Sequence, residues 1–205
     1  MDILTFMGKD EEGSSIYNAT IKDALNKRIL IINQEIDDDI IENYIYQIVR
    51  WNIEDQHLPV EKRTKIKLLI NSPGGDCIVG FSLVDVIKNS KIPIVAIGFG
   101  LVASMAYHIY ISCHERYAFE NTVLLQHDGE ISVSNSTSKV KDTMKFFDQM
   151  EVRTKKHVLS CTSMSEEEYD RHYEQEWYFY ADEEGKKYNC VDGIIGKDVN
   201  FEDIL

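Results

Sequence analysis

The stretch Ile92–Cys113 constrains the fold of this chain more than any other. It begins as a short apolar, β-branched run, Ile92-Pro93-Ile94-Val95-Ala96-Ile97, and passes through Gly98 and Gly100. It then continues without glycine as Ala103-Ser104-Met105-Ala106-Tyr107-His108-Ile109. The first part has the length of a strand and the second reads as a buried helix, so Ser104 falls where strand becomes helix. A hydroxyl at that junction lies beside unpaired N–H groups and the positive end of the helix dipole. Such a setting stabilises the negative charge that develops when a carbonyl is attacked. Ser is also among the commonest helix caps, so this stretch alone leaves a cap and a nucleophile both open.

The same order of elements precedes it. Ile66-Lys67-Leu68-Leu69-Ile70 is a strand that runs into Asn71-Ser72-Pro73-Gly74-Gly75-Asp76, where the glycines allow a tight turn or a close backbone approach. A helix through Ile78, Val79, Phe81, Leu83, Val86 and Ile87 follows. Further upstream, Arg28–Ile32 reads as a fully buried strand, and Asp37-Asp38-Asp39 loads the start of a helix carrying Ile40, Ile41, Tyr44, Ile45, Ile48, Val49 and Ile53. Buried strands alternating with helices predict an α/β fold with a largely parallel sheet.

Downstream, Tyr117-Ala118-Phe119 and Val123-Leu124-Leu125-Gln126-His127 are strand-like and separated by a turn at Glu120-Asn121. His127 ends its run just before Asp128-Gly129. A histidine there is either a hydrogen-bonded core residue or a base for Ser104. Thr137 to about Leu159 predicts a long amphipathic helix with Val140, Met144, Phe147 and Met150 on one stripe, packed on its own core or projecting toward a second subunit. Residues 165–176 are acid-rich, and an aromatic cluster, Trp177-Tyr178-Phe179-Tyr180, precedes a short helix at Asp182–Lys187 and a last strand at Cys190–Ile195.

Composition excludes several classes. Against 35 Asp and Glu there are 22 Lys and Arg, a net charge of −13 that argues against binding nucleic acid or an anionic membrane surface. Cys77, Cys113, Cys161 and Cys190 form no C-x-x-C pair, so neither a metal site nor a disulfide framework is expected. The N-terminus has no apolar signal core, and no apolar run reaches the roughly 20 residues a membrane helix needs. These features predict a cytoplasmic protein. At 205 residues one domain is expected, covering residues 18–205, after a mobile arm over residues 1–17 that holds Gly13-Ser14-Ser15.

Taken together, Ile70-Asn71-Ser72-Pro73-Gly74-Gly75, Gly100-Leu101-Val102-Ala103-Ser104-Met105, Gln126-His127 and Tyr188-Asn189-Cys190-Val191-Asp192 resemble the Clp protease proteolytic subunit, the ClpP family. The resemblance spans roughly residues 16–196 in unbroken order. It implies a ClpP/crotonase-like fold of repeated β-β-α units with a protruding long helix, and a serine endopeptidase that hydrolyses unfolded polypeptides. It further implies heptameric rings stacked as a tetradecamer and an AAA+ unfoldase as partner. That partner uses the ATP, and the chain itself needs no cofactor or metal. Position by position, Ser104 matches the nucleophile and His127 the general base. The backbone of Gly75 and Met105 matches the oxyanion hole, and Gly74, Asp128 and Gly129 match residues that contact substrate.

The chain departs from the family pattern in places. Glu176-Trp177-Tyr178 stands where the family has the triad Asp followed by Arg and Phe, so Glu176 is the expected third member and an Arg that ties the rings together is lost to Trp177. Asn189 replaces a Gly, and Asn is the next best residue for a left-handed cap. These departures also admit a non-catalytic ring subunit with a structural or docking role.

Overall fold

The computed structural model describes residues 11–204, with side chains from residue 19 onward. Helix α1 (Glu11–Asn26) leads into β1 (Ile29–Ile32), then α2 (Tyr46–Glu54), β2 (Ile66–Ser72) and α3 (Cys77–Asn89). The central β3 (Ile94–Ala103), α4 (Met105–Ile111), β4 (Glu115–Ala118) and β5 (Val123–Gln126) follow. The long α5 (Thr137–Cys161), α6 (Glu166–His172), β6 (Trp177–Tyr180), β7 (Gly193–Ile194) and α7 (Phe201–Ile204) complete the chain.

The sheet has seven strands in the order β1-β2-β3-β4-β7, with β5 joined to β3 and β6 to β5. Every pairing is parallel except β5 with β6. At ten residues β3 is long enough to serve two neighbours on one side: Val95–Gly98 pair with β4, and Leu101–Ala103 pair with β5. The change of partner falls at Gly100, whose φ of 62° suits glycine, and a Cβ there would lie 2.6 Å from Asn71 Oδ1. Asn71 fixes this kink by accepting the Leu101 N–H at 3.0 Å, opposite a register slip between Ile70 and Ser72. The second half of β3 is thereby sent toward β5, carrying Ser104 with it.

The core joins the apolar faces of β1–β3 to α2, α3 and α4, whose seven residues are all buried. That burial explains the long uninterrupted apolar run in the sequence. Asp76 caps α3 by accepting from the N–H groups of Ile78 and Val79. Asn189 takes φ 55°, the left-handed cap expected of it. The motif's last residue, Asp192, accepts from Arg116 through both carboxylate oxygens and so ties the tail to β4.

Several expectations are corrected. β1 is half-buried, because among the described residues it pairs with β2 alone and its Ile31 faces outward. In the following helical segment the buried stripe is Ile40, Tyr44, Ile48 and Trp51, while Ile41, Val49 and Ile53 are exposed. The buried residues follow one 3.6-residue stripe, and Ile41, Val49 and Ile53 lie off it. Of the expected N-terminal arm, residues 1–10 lie outside the described residues and residues 11–17 form the first turns of α1. Trp177–Tyr180 is a strand, and the last strand is confined to Gly193–Ile194. In α5 only His157 and Val158 are buried, so this helix of roughly 37 Å projects along most of its length.

Candidate active site

Ser104 sits between the end of β3 and the first residue of α4, with φ 54° and ψ −126°. A non-glycine residue there is strained by about 1–3 kcal/mol. The surrounding structure holds it: the Ser104 N–H donates to Leu125 O at 2.9 Å, and the Ser104 carbonyl accepts the His108 N–H at 3.3 Å. Of the two roles left open by the sequence, the hydroxyl does not take the cap. Ser104 makes no side-chain cap bond, and its Oγ lies 2.8 Å from His127 Nε2.

His127 follows the last residue of β5, whose parallel pairing with β3 aligns Ala103 with Leu125. One residue beyond Ala103 and two beyond Leu125, the backbone delivers the hydroxyl and the imidazole to the same place. On the other side of the ring, Nδ1 lies 2.7 Å from Glu176 Oε1. Glu176 comes from the residue before β6, and the antiparallel pair Gln126↔Trp177 sets it beside His127. The longer side chain therefore does reach, although it is 59% exposed.

The Gly74-Gly75 turn lies against Ser104. A Cβ on Gly74 would come within 2.6 Å of Ser104 Cβ and 2.9 Å of Met105 N, and φ 98° already restricts the position to glycine. Gly75, at φ 148°, forms a parallel bridge with Ile36 and leaves no room for a side chain against the Ile36 backbone. Ile36 donates to Gly74 O and accepts from Asp76 N–H, both at 2.8 Å. The N–H groups of Gly75 and Met105 have no acceptor among the described residues. Ile36 was not singled out from the sequence, since a lone bridge residue in an irregular segment carries no periodicity. Met105 is fully buried against Gly80. Asp128 and Gly129 are exposed beside His127, and the Asp128 N–H donates to Tyr173 O at 3.1 Å.

Beneath the site lie two buried histidines. His108 is one helical turn beyond Ser104, and burial holds its imidazole down to about 3. His157 is lowered to about 4, by burial first and then by the Lys88 ammonium, whose Nζ lies 2.8 Å from Nδ1. Its Nε2–H donates to the His108 carbonyl at 3.0 Å. Both rings are neutral near pH 7 and put no charge behind His127. Among the described residues no group of three or more His, Cys, Asp or Glu is arranged to hold a metal. No described helix is long and apolar enough to cross a membrane.

The family model for Clp protease matches residues 10–198. The chain belongs to the Clp protease family. Among its relatives, ATP-dependent Clp protease proteolytic subunit 2 of Corynebacterium efficiens is 28% identical over 182 residues, covering 87% of this chain and 88% of that protein. Proteolytic subunit 1 of Bacillus cereus is 28% identical over 189 residues, covering 91% and 92%. The proteolytic subunit of Cyanophora paradoxa is 32% identical over 130 residues, covering 62% and 63%. Membership of the Clp protease family makes the chain a peptide hydrolase, and the α/β architecture with its mostly parallel sheet agrees with that family's fold.

Proposed function

We propose that this chain is the proteolytic subunit of an ATP-dependent Clp protease, acting as a serine endopeptidase through Ser104, His127 and Glu176. The observation that carries this reading is the continuous hydrogen-bonded chain from Ser104 Oγ to His127 Nε2, at 2.8 Å, and from His127 Nδ1 to Glu176 Oε1, at 2.7 Å. In the reaction, Ser104 Oγ attacks the peptide carbonyl while His127 Nε2 takes its proton. The free N–H groups of Gly75 and Met105 receive the developing oxyanion. His127 then returns the proton to the leaving amine as the C–N bond breaks, and water hydrolyses the acyl-enzyme by the same route. Glu176 holds the Nδ1–H tautomer and balances the imidazolium. Gly74, Asp128 and Gly129 line the approach of the substrate backbone.

The subunit works in heptameric rings paired as a tetradecamer, supplied with unfolded chains by an AAA+ unfoldase that consumes the ATP. Self-association is supported by the projecting α5, with Met144, Phe146 and Val152 exposed, and by a groove of about 730 Å³ between α3 and α5 floored by Phe81 and Met150. A fluorophosphonate probe tests the chemistry: the wild-type protein should be labelled at Ser104, and Ser104→Ala should not. An unlabelled wild-type protein that still forms rings would instead be a non-catalytic ring subunit.

A further inference from the structure

Glu176 poses a problem that its hydrogen bond does not solve. A mostly exposed Glu with three rotatable bonds loses side-chain entropy when it is held on His127, and a shift near 1 Å in its backbone costs on the order of a hundredfold in rate. Yet the ladder that sets its place ends one residue later, at Gln126↔Trp177. The Trp177 ring continues the anchoring. It lies flat on His172, with centroids 4.0 Å apart and planes 13° from parallel. On its other contacts it meets Phe179 at 4.7 Å and Tyr188 at 5.6 Å, the latter edge-on. His172 is the last residue of α6, and Trp177 is the first of β6. Within the corner between them, Gln175 N–H donates to His172 O at 3.1 Å, and His172 Nδ1 lies 3.2 Å from Gln175 Oε1. The stack therefore staples both ends of the short loop that presents Glu176.

We infer that Trp177 and His172 are positioning residues, whose stacked rings lock the α6–β6 corner so that the Glu176 carboxylate meets His127. This inference rests on the reading of Glu176 as the third member of the triad. Neither ring reaches the reacting atoms, so their influence passes through Glu176 alone.

The test is a mutant cycle on the assembled protein with a short fluorogenic peptide. Trp177→Ala should lower kcat by about tenfold to a hundredfold with KM changed by less than about twofold. A merely structural role for the indole would instead lower the folded or assembled fraction and leave kcat per assembled subunit unchanged. In the Glu176→Gln background the same Trp177→Ala change should cost almost nothing further. His172→Ala should reproduce part of the loss and His172→Phe, which keeps a stacking ring, should restore most of it. If Trp177→Ala does not fold, the His172 pair decides: equal activity in His172→Ala and His172→Phe overturns the proposal. So does a wild-type kcat in Trp177→Ala while Glu176→Gln is impaired, which leaves the triad intact. Full activity in Glu176→Gln removes the triad reading itself.

Discussion

The two hydrogen bonds of His127 rest on very different parts of the molecule. The bond to Ser104 joins the ends of β3 and β5, parallel neighbours whose residues Val102, Ala103, Leu124 and Leu125 are all buried. The bond to Glu176 comes from the start of β6, an antiparallel strand whose one partner among the described residues is β5 and whose Tyr178 and Tyr180 are half exposed. One end of the site is fixed by interior packing and by a strained backbone. The other is fixed by a short ladder at the sheet's margin. Tolerance to sequence change follows from this difference: a margin strand can shift to admit a Glu where the family has an Asp, whereas nothing around Ser104 has room to move.

The largest effects are expected at the buried end. Ser104→Ala should reduce peptidase kcat by about 10⁴-fold or more while the oligomer, followed by sedimentation, stays intact. Ser104→Gly should be equally inert but more stable than Ser104→Ala by about 1 kcal/mol in urea, because glycine relieves the φ 54° strain. Equal stability of the two variants would show that the junction stores no strain.

At the margin, Glu176→Gln should cost roughly 10²- to 10³-fold in kcat, since a Ser–His pair retains some activity without its acid. Glu176→Asp should also be impaired, because the 2.7 Å contact is made with the longer side chain. Full activity in Glu176→Asp would mean that β6 adjusts freely and that the corner is not locked.

Gly74→Ala tests how closely the turn abuts Ser104. The added methyl would meet Ser104 Cβ at 2.6 Å, so we expect a loss of about 1–3 kcal/mol in stability and at least a tenfold fall in kcat. A fall in stability without a fall in kcat would separate the turn from the chemistry.

A further effect concerns acid. His108 and His157 are held neutral under the buried end, with folded values of about 3 and about 4 against about 6.5 unfolded. The unfolded chain binds the protons first, so the stabilisation is complete above about pH 6.5 and is lost as pH falls toward 4. For His157 the fall from 6.5 to about 4 corresponds to at most about 3 kcal/mol. Urea midpoints measured between pH 7 and 4 should drop accordingly, and His157→Gln, which retains a donor for the His108 carbonyl, should flatten the slope.

The buried end was legible in the sequence, and the margin was not. The apolar run into Ser104, the Gly74-Gly75 turn and the strand-ending His127 each carry a local signature, because buried parallel strands and glycine turns impose composition on short segments. Glu176 could be selected only by resemblance. Its partner is fixed by the Gln126↔Trp177 register, and Trp177–Tyr180 reads as an aromatic cluster with no alternation to mark it as a strand. The exposure of Ile31, Ile41 and Val49 was hidden for a related reason: strand order and the neighbours a helix packs against decide which apolar residues face inward, and neither is written in a count of apolar residues. Helix α1 spans Gly13-Ser14-Ser15, residues of weak helix propensity that read as a mobile arm.

The spacing of the three side chains along the chain has a consequence for synthesis. Ser104 and His127 leave the ribosome well before Glu176, which follows His127 by 49 positions. At about 5–20 residues per second, several seconds pass in which a nascent chain holds its hydroxyl and imidazole but has not received its carboxylate. The strand that follows the acid pairs along the β5 margin of the sheet. A chain therefore gains the carboxylate and this strand together, and fragments cut short before Glu176 carry neither.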